Sequence, residues 1–87
     1  MNSNEETSLY IGNLDYDISK EDLNNLFGRF GNIEELKLIP QKGIAFITLE
    51  KAEDAELAMK ALNGINFLDR KLIIDWARHQ KRKNETV

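Results

Sequence analysis

Residues 42–49 read Lys42-Gly43-Ile44-Ala45-Phe46-Ile47-Thr48-Leu49, and the fold follows from how this stretch has to lie. It is rich in β-branched and aromatic residues and begins just after the turn formers Pro40, Gln41 and Lys42, so it reads as a strand over residues 43–49. Successive side chains of a strand point to opposite faces, which sends Ala45, Ile47 and Leu49 one way and Ile44, Phe46 and Thr48 the other. Each face needs a covering, and the flanking sequence supplies only one.

Working outward, residues 33–38 alternate with a short period, and only residues 39–42 separate them from the strand; so brief a link makes the two strands antiparallel neighbours. Upstream lies a helix. Ser19 is a natural N-cap with Asp22 three residues on; Leu23, Leu26, Phe27 and Phe30 fall at i, i+3, i+4 and i+7; and Gly31 stands as a stop. Residues 9–14 read as a first strand. Downstream, a second helix is expected over about residues 51–62, with Ala55, Ala58, Met59 and Leu62 on one face and Asn63-Gly64 ending it. After a turn-like stretch over residues 65–70, residues 71–77 read as the last strand, with Leu72, Ile74 and Trp76 on one side. The order is βαββαβ, an α+β, ferredoxin-like sandwich. Right-handed crossovers place both helices on one face of a four-stranded antiparallel sheet and leave the other open.

With 87 residues, 41% of them apolar, the chain has enough material for one core and not for two. Cysteine is absent and histidine occurs once, at His79, which removes disulfide frameworks, Cys/His zinc sites and thiol nucleophiles. No cofactor is expected. The longest apolar run, residues 44–47, is far below the roughly 18 residues of a membrane span, so no membrane association is expected. An intracellular setting is expected, with nucleus and cytoplasm both open. No carboxylate pair is placed for acid–base work, no histidine partners a serine, and no Gly-rich loop opens a helix as a phosphate cradle. Enzymatic activity is therefore not expected. The net charge of −3 is unevenly spread: residues 8–77 hold 12 acids against 8 bases, whereas residues 78–87 hold Arg78, Lys81, Arg82 and Lys83 against Glu85 alone. Accordingly, residues 1–7 are expected to be a disordered tail, 8–78 the domain, and 79–87 a basic tail.

The uncovered face is where function is sought. Tyr10, Ile44 and Phe46 all fall on it, and burying a side chain of that size is worth roughly 1.5–3 kcal/mol, so their joint exposure implies a partner. Gly12, on the same face, would let a flat group approach the backbone. Leu9-Tyr10-Ile11-Gly12-Asn13-Leu14 resembles the six-residue ribonucleoprotein motif of the RNA recognition motif family. Residues 42–49 are similar to that family's eight-residue motif, Lys/Arg-Gly-aromatic-Gly/Ala-Phe-Val-x-aromatic. The likeness covers about residues 8–78. It implies adjacent first and third strands whose aromatics stack bases of single-stranded RNA, with single-stranded DNA as an in vitro substitute.

Carried over position by position, the resemblance makes Tyr10 and Phe46 stacking platforms, makes Lys42 a phosphate or base contact, and includes Gly12 and Asn13 in the site. Ile44 departs from the pattern, an aliphatic where the family has a third aromatic; Leu49 departs on the helix-facing side. By alternation Lys37, Thr48, Ile73 and Asp75 also face the ligand, Asp75 being suited to a base amine and unsuited to phosphate. Arg78 and the basic tail would track phosphates, giving a log–log salt slope of about −3 at most. A protomer with two platforms should act as a monomer, hold about two to four nucleotides and bind at micromolar strength or weaker.

The open face could be covered by the chain's own tail or a second copy, while Trp76 and Met59 read as core and His79 as solvated. Glu50, Glu53, Asp54 and Glu56 read as a solvated helix face that suits a helix N-terminus. The competing function is a protein-interaction module that takes a peptide on its acidic helices, as some domains resembling this fold do with an Arg-x-Phe before the last strand. Here that loop carries Phe67 but has Ile65 in place of the arginine.

Overall fold

Ser19 opens the first helix as its position requires. Its hydroxyl accepts from the Asp22 N–H at 3.1 Å, and the Asp22 carboxylate accepts from the Ser19 N–H at 3.1 Å, so two donors that the helix start would leave unpaired are both satisfied. In the computed structural model, which describes residues 6–77, this helix is α1 (Lys20–Gly28). It follows β1 (Ser8–Gly12) and precedes β2 (Ile33–Ile39), a 3-10 turn (Pro40–Lys42) and β3 (Ile44–Leu49). Then come α2 (Ala52–Leu62), a two-residue pair β4 (Asn66–Phe67) and β5 (Arg70–Lys71), and β6 (Ile73–Trp76). Arg78 and the basic tail lie outside the described residues. Of the expected N-terminal tail, Thr7 belongs to the sheet region, since its carbonyl accepts from the Leu49 N–H at 2.9 Å.

The main sheet has the order β2-β3-β1-β6, antiparallel throughout. Both helices carry their apolar stripes against one face of it. Leu9, Ile11, Ala45, Ile47 and Leu49 from the strands and Leu23, Phe27, Ala55 and Ala58 from the helices are wholly buried together. Ala55 and Ala58 have no bulk to hold α2 away, which is what lets it settle close to the sheet.

Three local features depart from the expected elements. Ile33, Leu36 and Leu38 all pack toward the core, which strict alternation forbids; a register shift between Ile33 and Glu35 resolves it by inserting one residue opposite β3. α1 stops at Gly28 with Arg29 as its C-cap rather than running to Gly31, whose missing side chain serves packing instead. A Cβ on Gly31 would fall 2.9 Å from the Asp54 Cβ at the start of α2. The last strand is shorter than expected because Leu72 turns aside: its N–H donates to the Ile65 carbonyl and its carbonyl accepts from the Gly64 N–H. β4 and β5 are joined through Leu68 and Asp69, both at positive φ, the geometry of a type I′ hairpin turn.

The edge at β6 is closed by side chains. Asn63 Oδ1 accepts from the Ile74 N–H at 2.9 Å, and Asp75 Oδ1 accepts from the Trp76 N–H at 2.7 Å. These two bonds occupy donors that an edge strand would otherwise offer to another chain.

Candidate nucleic-acid interface

β1 and β3 lie side by side at the centre of the sheet, and their register sets Tyr10 directly against Phe46. The two rings are tilted by 57° with centroids 5.7 Å apart, within the range in which aromatic pairs attract. β2 places Lys37 beside Phe46, and β6 places Asp75 beside Tyr10. One row across the open face therefore runs Lys37, Phe46, Tyr10, Asp75, with a cation at one end, a carboxylate at the other and two rings between. A flat ligand that covers the rings meets a hydrogen-bond donor on one side and an acceptor on the other.

A second row is aliphatic. Ile39 pairs with Ile44, and Ile73 pairs with Gly12; Ile73 is 53% exposed. Gly12 itself is buried, and the reason is close at hand: a Cβ placed on it would lie 2.9 Å from Tyr10 Oη and 3.2 Å from the ring carbons Cε2 and Cζ. The flat group that Gly12 admits is thus the ring of Tyr10, which leans along its own strand. The third row is polar, with Ser8 and Thr48 sharing a 2.8 Å hydrogen bond between their hydroxyls.

Lys42 is exposed in the 3-10 turn just before β3. Gly43 follows in the left-handed region at φ 66°, and its carbonyl accepts from the Leu14 N–H at 2.9 Å; a Cβ there would sit 3.0 Å from the Leu14 carbonyl oxygen. Glycine is required on both counts, conformation and space. This bond ties the start of β3 to the end of β1, so the two motif segments are locked in register.

Asn13 is exposed but engaged. It takes a left-handed conformation at φ 63°, donates from Nδ2 to the Lys71 carbonyl at 2.7 Å, and accepts at Oδ1 from the Arg70 guanidinium at 2.9 Å. Arg70 Nε also donates to the Asn13 carbonyl at 3.3 Å. Of the eleven residues expected to face the ligand, Tyr10, Gly12, Ile44, Phe46, Thr48, Lys37, Ile73 and Asp75 share the open face. Lys42 and Asn13 flank it at one end, and Arg78 falls outside the described residues. Arg70 was not singled out from the sequence. The bonds that fix it bridge 57 positions of the chain, and no local pattern announces them. Among the described residues no cluster of three or more His, Asp or Glu could hold a metal, and no helix is long and apolar enough to cross a membrane.

The RNA recognition motif family model matches residues 9–73. The chain is similar to a splicing factor 3B subunit 6-like protein of Schizosaccharomyces pombe, at 33% identity over 95% of this chain and 75% of that protein. It is also similar to the flowering time control protein FPA of Arabidopsis thaliana, at 34% identity over 88% of this chain but only 8% of that much longer protein. Among solved structures, the C-terminal RRM domain of poly(U) binding 1 superimposes with a TM-score of 0.82 at 33% identity, covering 94% of this chain and 78% of that one.

Proposed function

The chain belongs to the RNA recognition motif family, and from that premise we propose that residues 8–78 are a single-stranded RNA-binding module that takes bases on the open face of its sheet. The observation that carries this reading is the Tyr10–Phe46 pair, two rings set side by side on the face that the helices leave uncovered. A base stacked on such a ring gains roughly 1–3 kcal/mol whatever its identity. Lys37 and Asp75, flanking the rings, supply the edge contacts that would favour one base over another. Gly12, Ile44, Thr48 and Ile73 line the same surface, and phosphate contacts are assigned to Lys42 and, outside the described residues, to Arg78. In this reading Asn13 acts through Arg70: it holds the guanidinium at the rim of the face. Splicing and other RNA processing are the settings that the relatives' names suggest, and an intracellular location goes with them.

The test is an NMR titration of the labelled chain with a short degenerate oligoribonucleotide, repeated on Tyr10→Ala and Phe46→Ala. Amide shifts centred on β1 and β3, lost with either substitution, are expected. Shifts restricted to the residues beyond Ala77, or none at all, would overturn the reading. The same titration at several salt concentrations should give a log–log slope no steeper than about −3, since few phosphates are neutralised.

A peptide on the helices is the second reading. In its favour is a shallow groove between α1 and the β4–β5 hairpin, lined by Asp22, Asn25, Leu26, Arg29 and Phe67. Against it, Phe67 and Ile65 are both half-buried against the core, and isoleucine stands at residue 65 where the Arg-x-Phe pattern has its arginine.

A further inference from the structure

Tyr16 is the most exposed large hydrophobic side chain among the described residues, at 71%, and it stands outside the sheet. It sits at the tip of the β1–α1 loop between Leu14 and Ile18, which are anchored in the core. The loop is closed on itself: Asp15 Oδ1 accepts from the Asp17 N–H at 2.9 Å, and the Asp15 carbonyl accepts from the Ile18 N–H at 3.1 Å. The ring is thus presented by a fixed turn rather than a free one. Opposite it are Pro40 and Gln41, and the three residues line a shallow, mostly apolar groove. The backbone of Gly43 lies alongside, where an ideal Cβ would be 3.8 Å from Tyr16 Cε1.

Gly43 leads directly into β3, so the groove is continuous with the proposed RNA face. Gly43 is three residues from Phe46, about 10 Å at the rise of a strand. A single strand that leaves the Tyr10–Phe46 row toward the start of β3 passes Ile44, then Lys42, and arrives at Tyr16. Lys42, exposed in the turn just before Gly43, can meet a phosphate, whereas Asp15 and Asp17, which flank Tyr16 in its own loop, would repel one. That charge arrangement suits a base lying on the ring with its backbone turned toward Lys42. We propose that the Tyr16–Pro40–Gln41 groove is a further nucleobase subsite, taking one base of the same RNA strand beyond those on the sheet. The proposal rests on the RNA-binding reading of the sheet, and it would return by way of the loop some of the stacking lost where Ile44 replaces an aromatic.

The experiment compares the wild-type chain with Tyr16→Ser, Tyr16→Phe and Phe46→Ala against degenerate oligoribonucleotides of three and of six nucleotides. With Tyr16 so exposed, its variants should keep the wild-type spectrum. Tyr16→Ser should weaken the six-nucleotide ligand by at least about fivefold, the low end of a lost stack, and leave the three-nucleotide ligand unchanged. Tyr16→Phe should match wild type, and Gln41, Lys42 and Gly43 amides should shift with the longer ligand only. If Tyr16→Ser changes neither affinity while Phe46→Ala weakens both, the subsite is wrong and the sheet reading stands. If it weakens both lengths equally, the extra-base assignment is wrong. If no variant changes binding, or no RNA binds, both readings fall.

Discussion

Phe46 and Ile47 are neighbours on one strand with opposite surroundings. Ile47 is wholly buried between the sheet and the helices, as are Ala45 and Leu49 on its side, whereas Phe46 lies on the open side with Ile44 and Thr48, each only half-buried. One face of β3 is thus satisfied by the chain itself and the other is not. The difference separates two kinds of constraint: residues on the closed side answer to folding, and those on the open side answer to whatever covers them.

The largest expected effect breaks the closed side. Ile47→Ala should destabilise the fold by about 2–5 kcal/mol and Ile47→Val by about 0.5–1.5 kcal/mol, read from urea denaturation midpoints. Both should leave RNA affinity unchanged at temperatures where the chain is still folded. A loss of affinity in folded Ile47→Val would mean that the two faces are not independent. Next comes Phe46→Ala, which should lose about 1–3 kcal/mol of binding, roughly a 5-fold to 150-fold rise in Kd. Its loss of stability should be smaller than that of Ile47→Ala, about the 0.5–1.5 kcal/mol of an aromatic pair.

A subtler substitution sharpens the comparison because it touches only the position of a ring. In Gly12→Ala the new methyl would overlap the far end of the Tyr10 side chain, which can swing away, so stability should change by less than about 1 kcal/mol. The displaced ring should nevertheless weaken RNA binding roughly threefold to tenfold, less than a whole lost stack. Calorimetric titration beside a thermal melt separates the two quantities. An unchanged affinity would show that the tilt of Tyr10 over Gly12 has no part in recognition.

The same contrast explains what could be read from the sequence. The closed side was legible because burial imposes a period, and Leu9, Ile11, Ala45, Ile47 and Leu49 obey it without exception. The capped start of α1 was legible because Ser19 and Asp22 are three residues apart. Features made by distant pairings were not. The break in the last strand at Leu72 hides behind an alternation that fits either arrangement, since Leu72 is buried in both. The turn at Leu68–Asp69 carries no glycine or asparagine to mark its positive φ values. Nor does the sequence show that Gly12 accommodates Tyr10, because that depends on which way a ring leans. For the open face, alternation agrees with the register that sets Lys37, Phe46, Tyr10 and Asp75 in one row, but no spacing rule could tell that Asn13 is engaged by Arg70 and Lys71.

The smallest predicted effect is also the one that tests how far the open face extends. Ile44 stands where the family motif has an aromatic, and it pairs with Ile39 in the aliphatic row. Ile44→Phe would add a ring two residues, about 6.8 Å, from Phe46 along β3. It cannot act as a free third platform, because the neighbouring position on β1 is Gly12, over which the ring of Tyr10 already lies. The new ring would share that space, and the gain should stay below about 1 kcal/mol, or at most about fivefold in Kd by calorimetric titration. A larger gain would mean that Tyr10 moves aside when a base arrives, so that the lean over Gly12 belongs only to the free protein. No gain, with Phe46→Ala still damaging, would place the end of the ligand at the Tyr10–Phe46 row and leave the aliphatic row as a dry margin of the site.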